Sequence, residues 1–106
     1  MLDKLLAISR GLITRFPNGY NPFEMMTRVL EESGELAAEV SHFEGGGVKL
    51  EKHGPPEKET LVKEIRQAIT AILSIAIYYH VENELGDDIE AYYLRLKSEG
   101  WIPESP

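Results

Sequence analysis

Leu61, Ile65, Ala68, Ile69, Ile72, Leu73, Ala76 and Tyr79 succeed one another at three- and four-residue steps, the spacing of one face of an α-helix. Ile75 and Ile77 extend the apolar surface most of the way round. A helix that is apolar nearly all round is central in a bundle or covered by another chain. A membrane is not its destination, because Ala68 to Tyr79 is only 12 residues and a bilayer span needs about 20.

Helical periodicity extends to most of the chain. Leu2, Leu5, Leu6, Ile8, Leu12, Ile13 and Phe16 mark a first amphipathic helix, and the turn-forming run Pro17, Asn18, Gly19 and Pro22 ends it. A second helix starts at Asn21, with Asn21 as cap, Pro22 at the first helical position and Glu24 three residues after the cap. Its apolar stripe is Phe23, Met26, Val29, Leu30, Leu36, Ala37 and Val40. Residues 44–58, with three glycines and a Pro-Pro pair, read as a long loop, with a short hairpin around Val48–Leu50 as an option. The third helix then runs from Glu57 or Thr60 to about Glu82. "NELGDD" reads as a break, and a fourth helix covers about 87–98. Trp101 is expected to pack back on the bundle. The expected fold is all-α: one domain over residues 1–106, a bundle of about four helices with a long Gly/Pro-rich loop between the second and third.

The charge balance narrows the partners. Eighteen acidic residues against 11 basic give a formal net charge of −7, so bulk attraction to a nucleic-acid backbone is not expected. A polyanionic small molecule could still bind through a bridging cation. The chain has no cysteine, which removes disulfides, thiolate metal sites and cysteine nucleophiles and suits a reducing cytoplasm. The charge-interrupted N-terminus does not read as a signal peptide. The third helix carries more apolar surface than a small monomeric bundle easily covers, so a homo-oligomer, dimer or tetramer, is expected.

Within the second helix the sequence "EESGELAAE" places Glu31, Glu32, Glu35 and Glu39 in nine positions. Glu32, Glu35 and Glu39 share one helix face, and Glu31 is one turn from Glu35. Like charges at such spacings cost about 0.2–0.5 kcal/mol per pair, and Gly34 in mid-helix costs about 1 kcal/mol relative to alanine. Local choices that oppose the fold concentrate at functional sites. Carboxylates one turn apart suit a hard divalent cation, with Glu64 on the third helix as the facing ligand. The spacing equally describes a solvated helix face. His42 continues the acidic face at the end of the helix, where complementing the helix dipole is its commoner role.

The stretch "LEESGELAAEV" resembles the first signature of the MazG-like nucleotide pyrophosphohydrolases, the all-α NTP pyrophosphatase superfamily: Glu-Glu-x-x-Glu with Gly before and Leu after the third Glu. The match is Glu31, Glu32, Ser33, Gly34, Glu35 and Leu36. The family's second signature, Glu-Glu-x-x-Asp, matches "KEIRQ", with Lys63 at the first Glu, Glu64 kept, and Gln67 where the family has Asp. The resemblance implies Mg²⁺, or Mn²⁺, held by Glu32, Glu35 and Glu64 with Gln67 as a neutral fourth ligand. It also implies hydrolysis of a nucleoside triphosphate to the monophosphate and pyrophosphate, with Glu31 or Glu39 as general base. Gln67 removes one negative charge from the ligand set, so weak turnover, or binding without turnover, is the alternative; a structural helical dimerisation module is the third reading. Lys49 and Lys52 in the loop, and Arg95 and Lys97 on the last helix, are the basic residues available to the phosphates.

Overall fold

The computed structural model describes residues 1–46, 51 and 53–103. Among them are four α-helices and no strand: α1 (Leu2–Arg15), α2 (Pro22–Phe43), α3 (Lys58–Tyr78) and α4 (Glu82–Ser98), with a 3₁₀ turn at Pro17–Gly19 between α1 and α2. The expected all-α architecture is therefore present. The possible hairpin at 48–50 lies outside the described residues. The rest of the connection is not wholly irregular, since Glu51 and His53 have helical backbone.

The helix ends follow local chemistry. The Asn21 side chain accepts a hydrogen bond from the Glu24 amide at 2.9 Å, and Pro22 follows it, as the sequence led us to expect. The third helix stops earlier than expected, at Tyr78. His80 adopts φ +57°, its amide bonds Ile77 O at 3.2 Å, and the Val81 amide bonds Ala76 O at 2.9 Å. Those paired bonds form a Schellman motif with histidine where glycine is usual. The chain break thus falls at 79–81, and "NELGDD" is helical, inside α4.

The α3 helix is central, packing against α2 on one side and α1 on the other. Residues at its buried positions are mostly small: Ala68, Thr70, Ala71, Ser74 and Ala76, with Leu73. Small side chains let α1 come close enough for Ser9 Oγ to donate to the Thr70 carbonyl at 3.0 Å, with both residues buried. The α2 and α3 helices are antiparallel: Met25 and Met26 lie near Ile75 and Tyr79, and Glu39 and His42 lie near Glu57 and Thr60. By contrast α4 packs only slightly on α3; an ion pair from Arg10 to Glu82 at 3.3 Å holds its first turn to α1.

Two expectations about burial are corrected. The apolar stripe of α2 is largely exposed, with Phe23 at 86% and Leu30 at 68%, while Met25, Glu39 and His42 are its buried residues. On α3, Ile65, Ile69 and Ile72 are also exposed, as is Tyr79 just past its end. The periodicity gave the helices correctly, but a helix with two presentable faces buries the one its neighbour selects. Trp101 does not pack back; it is 74% exposed, because α4 points away from the other helices.

Candidate cation site

Glu32 and Glu35 project from the middle of α2, and Glu64 from the second turn of α3. The antiparallel pairing brings them together, with one carboxylate oxygen of each lying within 4.8 Å of the other two. Glu32 and Glu64 are half-buried and Glu35 is exposed. The Oε2 atoms of Glu32 and Glu64 are each fully buried without a hydrogen-bond partner. An unpaired buried carboxylate oxygen costs stability unless a proton or cation meets it. Burial, then the neighbouring charges of Glu35 and Glu64, push the Glu32 carboxyl above its ordinary 4.5.

Three carboxylates converging from two helices, with two orphaned oxygens, form a donor set suited to a hard divalent cation. Glu32 and Glu64 each turn one oxygen inward, while Glu35 stays exposed. Gln67 stands on α3 three residues past Glu64 and is half-buried. Its neutral amide oxygen is suited to the same kind of ion.

Glu31 and Glu39 lie outside this group of three. Glu31 is exposed and lines a cavity of about 220 Å³ with Glu24, Thr27 and Arg28. Glu39 is 1% exposed and faces His42, whose Nδ1 lies 3.6 Å from Glu39 Oε1. His42 is itself buried, and its Nε2 is 2.6 Å from the Gly54 carbonyl oxygen. A carbonyl only accepts, so Nε2 carries the hydrogen and donates it. His42, in the last turn of α2, thus ties Gly54 of the connection to the end of that helix. The adjoining cavity, about 290 Å³, is lined by Glu39, His42, His53, Pro55, Glu57 and Thr60.

Lys49 and Lys52 lie outside the described residues. Arg95 and Lys97 are on α4, where Arg95 sits over the Tyr92 ring at 4.9 Å and Lys97 over Tyr93 at 6.0 Å. Arg28 is a residue that sequence reasoning did not single out. Its guanidinium lies 4.7 Å from the Tyr20 ring centroid, Nη2 donates to the Gly19 carbonyl at 3.5 Å, and Nε is buried without a partner. It precedes Glu32 by one turn, and its charge opposes the upward shift of that carboxyl. In sequence such an arginine is indistinguishable from one serving an ordinary i,i+4 ion pair.

No protein-family model, curated protein or solved structure matches this chain.

Proposed function

We infer that the chain is a divalent-cation-dependent nucleoside triphosphate pyrophosphohydrolase, cleaving NTP to NMP and pyrophosphate, and that it works as a homo-oligomer in a reducing cytoplasm. The reading rests on the resemblance of "EESGELAAE" and "KEIRQ" to the two MazG-like signatures. The observation that carries it is the convergence of Glu32, Glu35 and Glu64, with buried unpartnered oxygens on Glu32 and Glu64. These orphaned atoms fit a cation; Glu32, Glu35 and Glu64 would hold Mg²⁺ or Mn²⁺, with Gln67 as the neutral fourth donor. When bound, such an ion shields phosphate charge and polarises the phosphorus under attack.

The remaining steps belong to the side chains. Glu31 and Glu39 flank Glu32 and Glu35 in sequence, and of the two general-base candidates for the attacking water the exposed Glu31 is the more accessible. Arg28 holds a guanidinium one turn from Glu32 with donor capacity to spare, which suits a phosphate oxygen. Arg95 and Lys97, and Lys49 and Lys52, remain candidates for phosphate contact. The Gln67 substitution favours a second reading, in which nucleotide and cation bind without turnover, because the ligand set carries one charge fewer than the family's.

Pyrophosphate release from a panel of NTPs and dNTPs with Mg²⁺ or Mn²⁺ tests the first reading. Release is expected, and Glu35→Gln should lower it by about a hundredfold or more, while Gln67→Asp should raise it. No release from any substrate at high protein concentration would overturn hydrolysis. Calorimetric binding of nucleotide under those conditions would leave the second reading standing.

A further inference from the structure

The chain exposes 7995 Å², whereas a compact protein of 12.0 kDa exposes about 6,000 Å². Its radius of gyration is 16.9 Å, against about 13 Å for a compact chain of this length. The molecule is a slab of 45 × 44 × 20 Å, with α4 extending from it. The excess of about 2,000 Å² per chain is, for two chains, in the range that obligate homodimers bury. An interface with an unrelated small partner would not need so much of this one chain to be apolar.

Exposed apolar residues occur on α1, at Ile8 and Leu12, but two other groups are more extensive. One is the outward face of the α2–α3 pair, where Phe23, Met26, Leu30, Ile72 and Tyr79 are exposed. A cavity of about 410 Å³ opens there, floored by Met25 and Ile75. The other is α4, whose Ile89, Tyr92, Tyr93 and Leu94 are all exposed. At 17 residues α4 is about 25 Å long, and the exposed apolar stretch of α2 from Phe23 to Leu30 covers about 12 Å, half of that length. Because α4 leaves its own chain beside Tyr79, it cannot fold back on this face without reversing at 79–81, where the Schellman bonds fix its departure.

We propose that α4 is an exchanged arm: in a two-fold homodimer, each copy lays the apolar face of its α4 along the outward α2–α3 face of the other. A two-fold axis makes the contact twice, which accounts for the size of the excess. The proposal rests on the homo-oligomer reading above and adds to it the surface and the segment; it uses nothing of the cation site. Arg95 and Lys97, stacked on Tyr92 and Tyr93, travel with the arm and face the acid-rich α2 of the second copy rather than their own.

The chain has no cysteine, so engineered ones report alone. Differently tagged full-length Met26→Cys and Tyr92→Cys chains, mixed, dissociated, reassembled and oxidised, are expected to yield the mixed disulfide as the main covalent product. Sedimentation should show a dimer at micromolar concentration, and Leu30→Lys should raise its dissociation constant roughly 30-fold or more with helical circular dichroism retained. If Leu30→Lys loses its helices, the cysteine pair alone decides. A monomer at tens of micromolar overturns both the assembly and the exchange. An oligomer that fails to join the mixed pair, while joining Met26→Cys to itself, overturns the exchange alone. Pyrophosphate release tests the cation site separately.

Discussion

The two ends of the α2–α3 pair are built on opposite principles. At one end Met25, 1% exposed, meets the C-terminal half of α3, where Leu73 and Ala76 are also buried. From the middle of the pair to its other end the same helices carry Glu32, Glu35 and Glu64 and then Glu39 and His42, of which Glu39 is as buried as Met25. The first end is held by removal of apolar surface from water. The second is dominated by electrostatics: like carboxylates converge there, and a proton or a cation would relieve their repulsion. A helix pair can therefore be anchored by apolar packing at one end and carry a cluster of like charges away from it.

Truncating the anchor should have the largest effect. Met25→Ala is expected to destabilise by about 2–5 kcal/mol in urea denaturation, since it empties the apolar end where the small residues of α3 offer little to fill the space. A loss below 1 kcal/mol would mean that the anchor lies elsewhere.

Gly34→Ala sharpens the contrast from the acidic end. Gly34 is helical, and a Cβ added there meets nothing within 4 Å. The substitution should therefore stabilise by about 1 kcal/mol without changing any thermal response to Mg²⁺. If the Mg²⁺ response is lost with it, the glycine serves the site and not merely the helix.

The smallest effect is the most specific. Removing the Glu32–Glu35 repulsion by Glu32→Gln should raise cation-free stability by about 0.2–0.5 kcal/mol and abolish the Mg²⁺ shift. The pH dependence follows from the same carboxyl. Its folded pKa lies above the unfolded 4.5, so the folded chain holds this proton more tightly than the unfolded one. That contribution to stability is complete below about pH 4.5 and is lost as pH rises through the higher folded value. The thermal midpoint of wild type should fall over that window more than that of Glu32→Gln, and saturating Mg²⁺ should flatten the difference. Identical profiles for the two proteins would contradict the crowding of Glu32.

Much of the fold was legible in the sequence, and the parts that were not share a cause. The apolar spacing gave the helices, and Asn21-Pro22 gave the start of α2 to the residue. The break at 79–81 was hidden because His80 does glycine's work, and nothing local marks a histidine for φ +57°. Helical spacing on α2 and one facing acid on α3 pointed to Glu32, Glu35 and Glu64, but also to Glu39, which the structure sets against His42 instead. Arg28 was not legible, because its distinguishing feature is a buried Nε without a partner, which only packing creates.

By itself the sequence determined that the chain is helical, where α2 begins, and that acidic side chains gather on one of its faces. Those properties depend on neighbours within about four residues, through caps, turns and the 3.6-residue period. The tertiary structure decided which faces are turned inward. It put Glu32 and Glu39 against α3 and left Phe23, Leu30 and Ile72 outside, because the small residues of α3 admit close neighbours only along the strips they line. It also decided that α4 leaves the bundle, which the chain's own apolar pattern could not specify without knowing what else would cover that face.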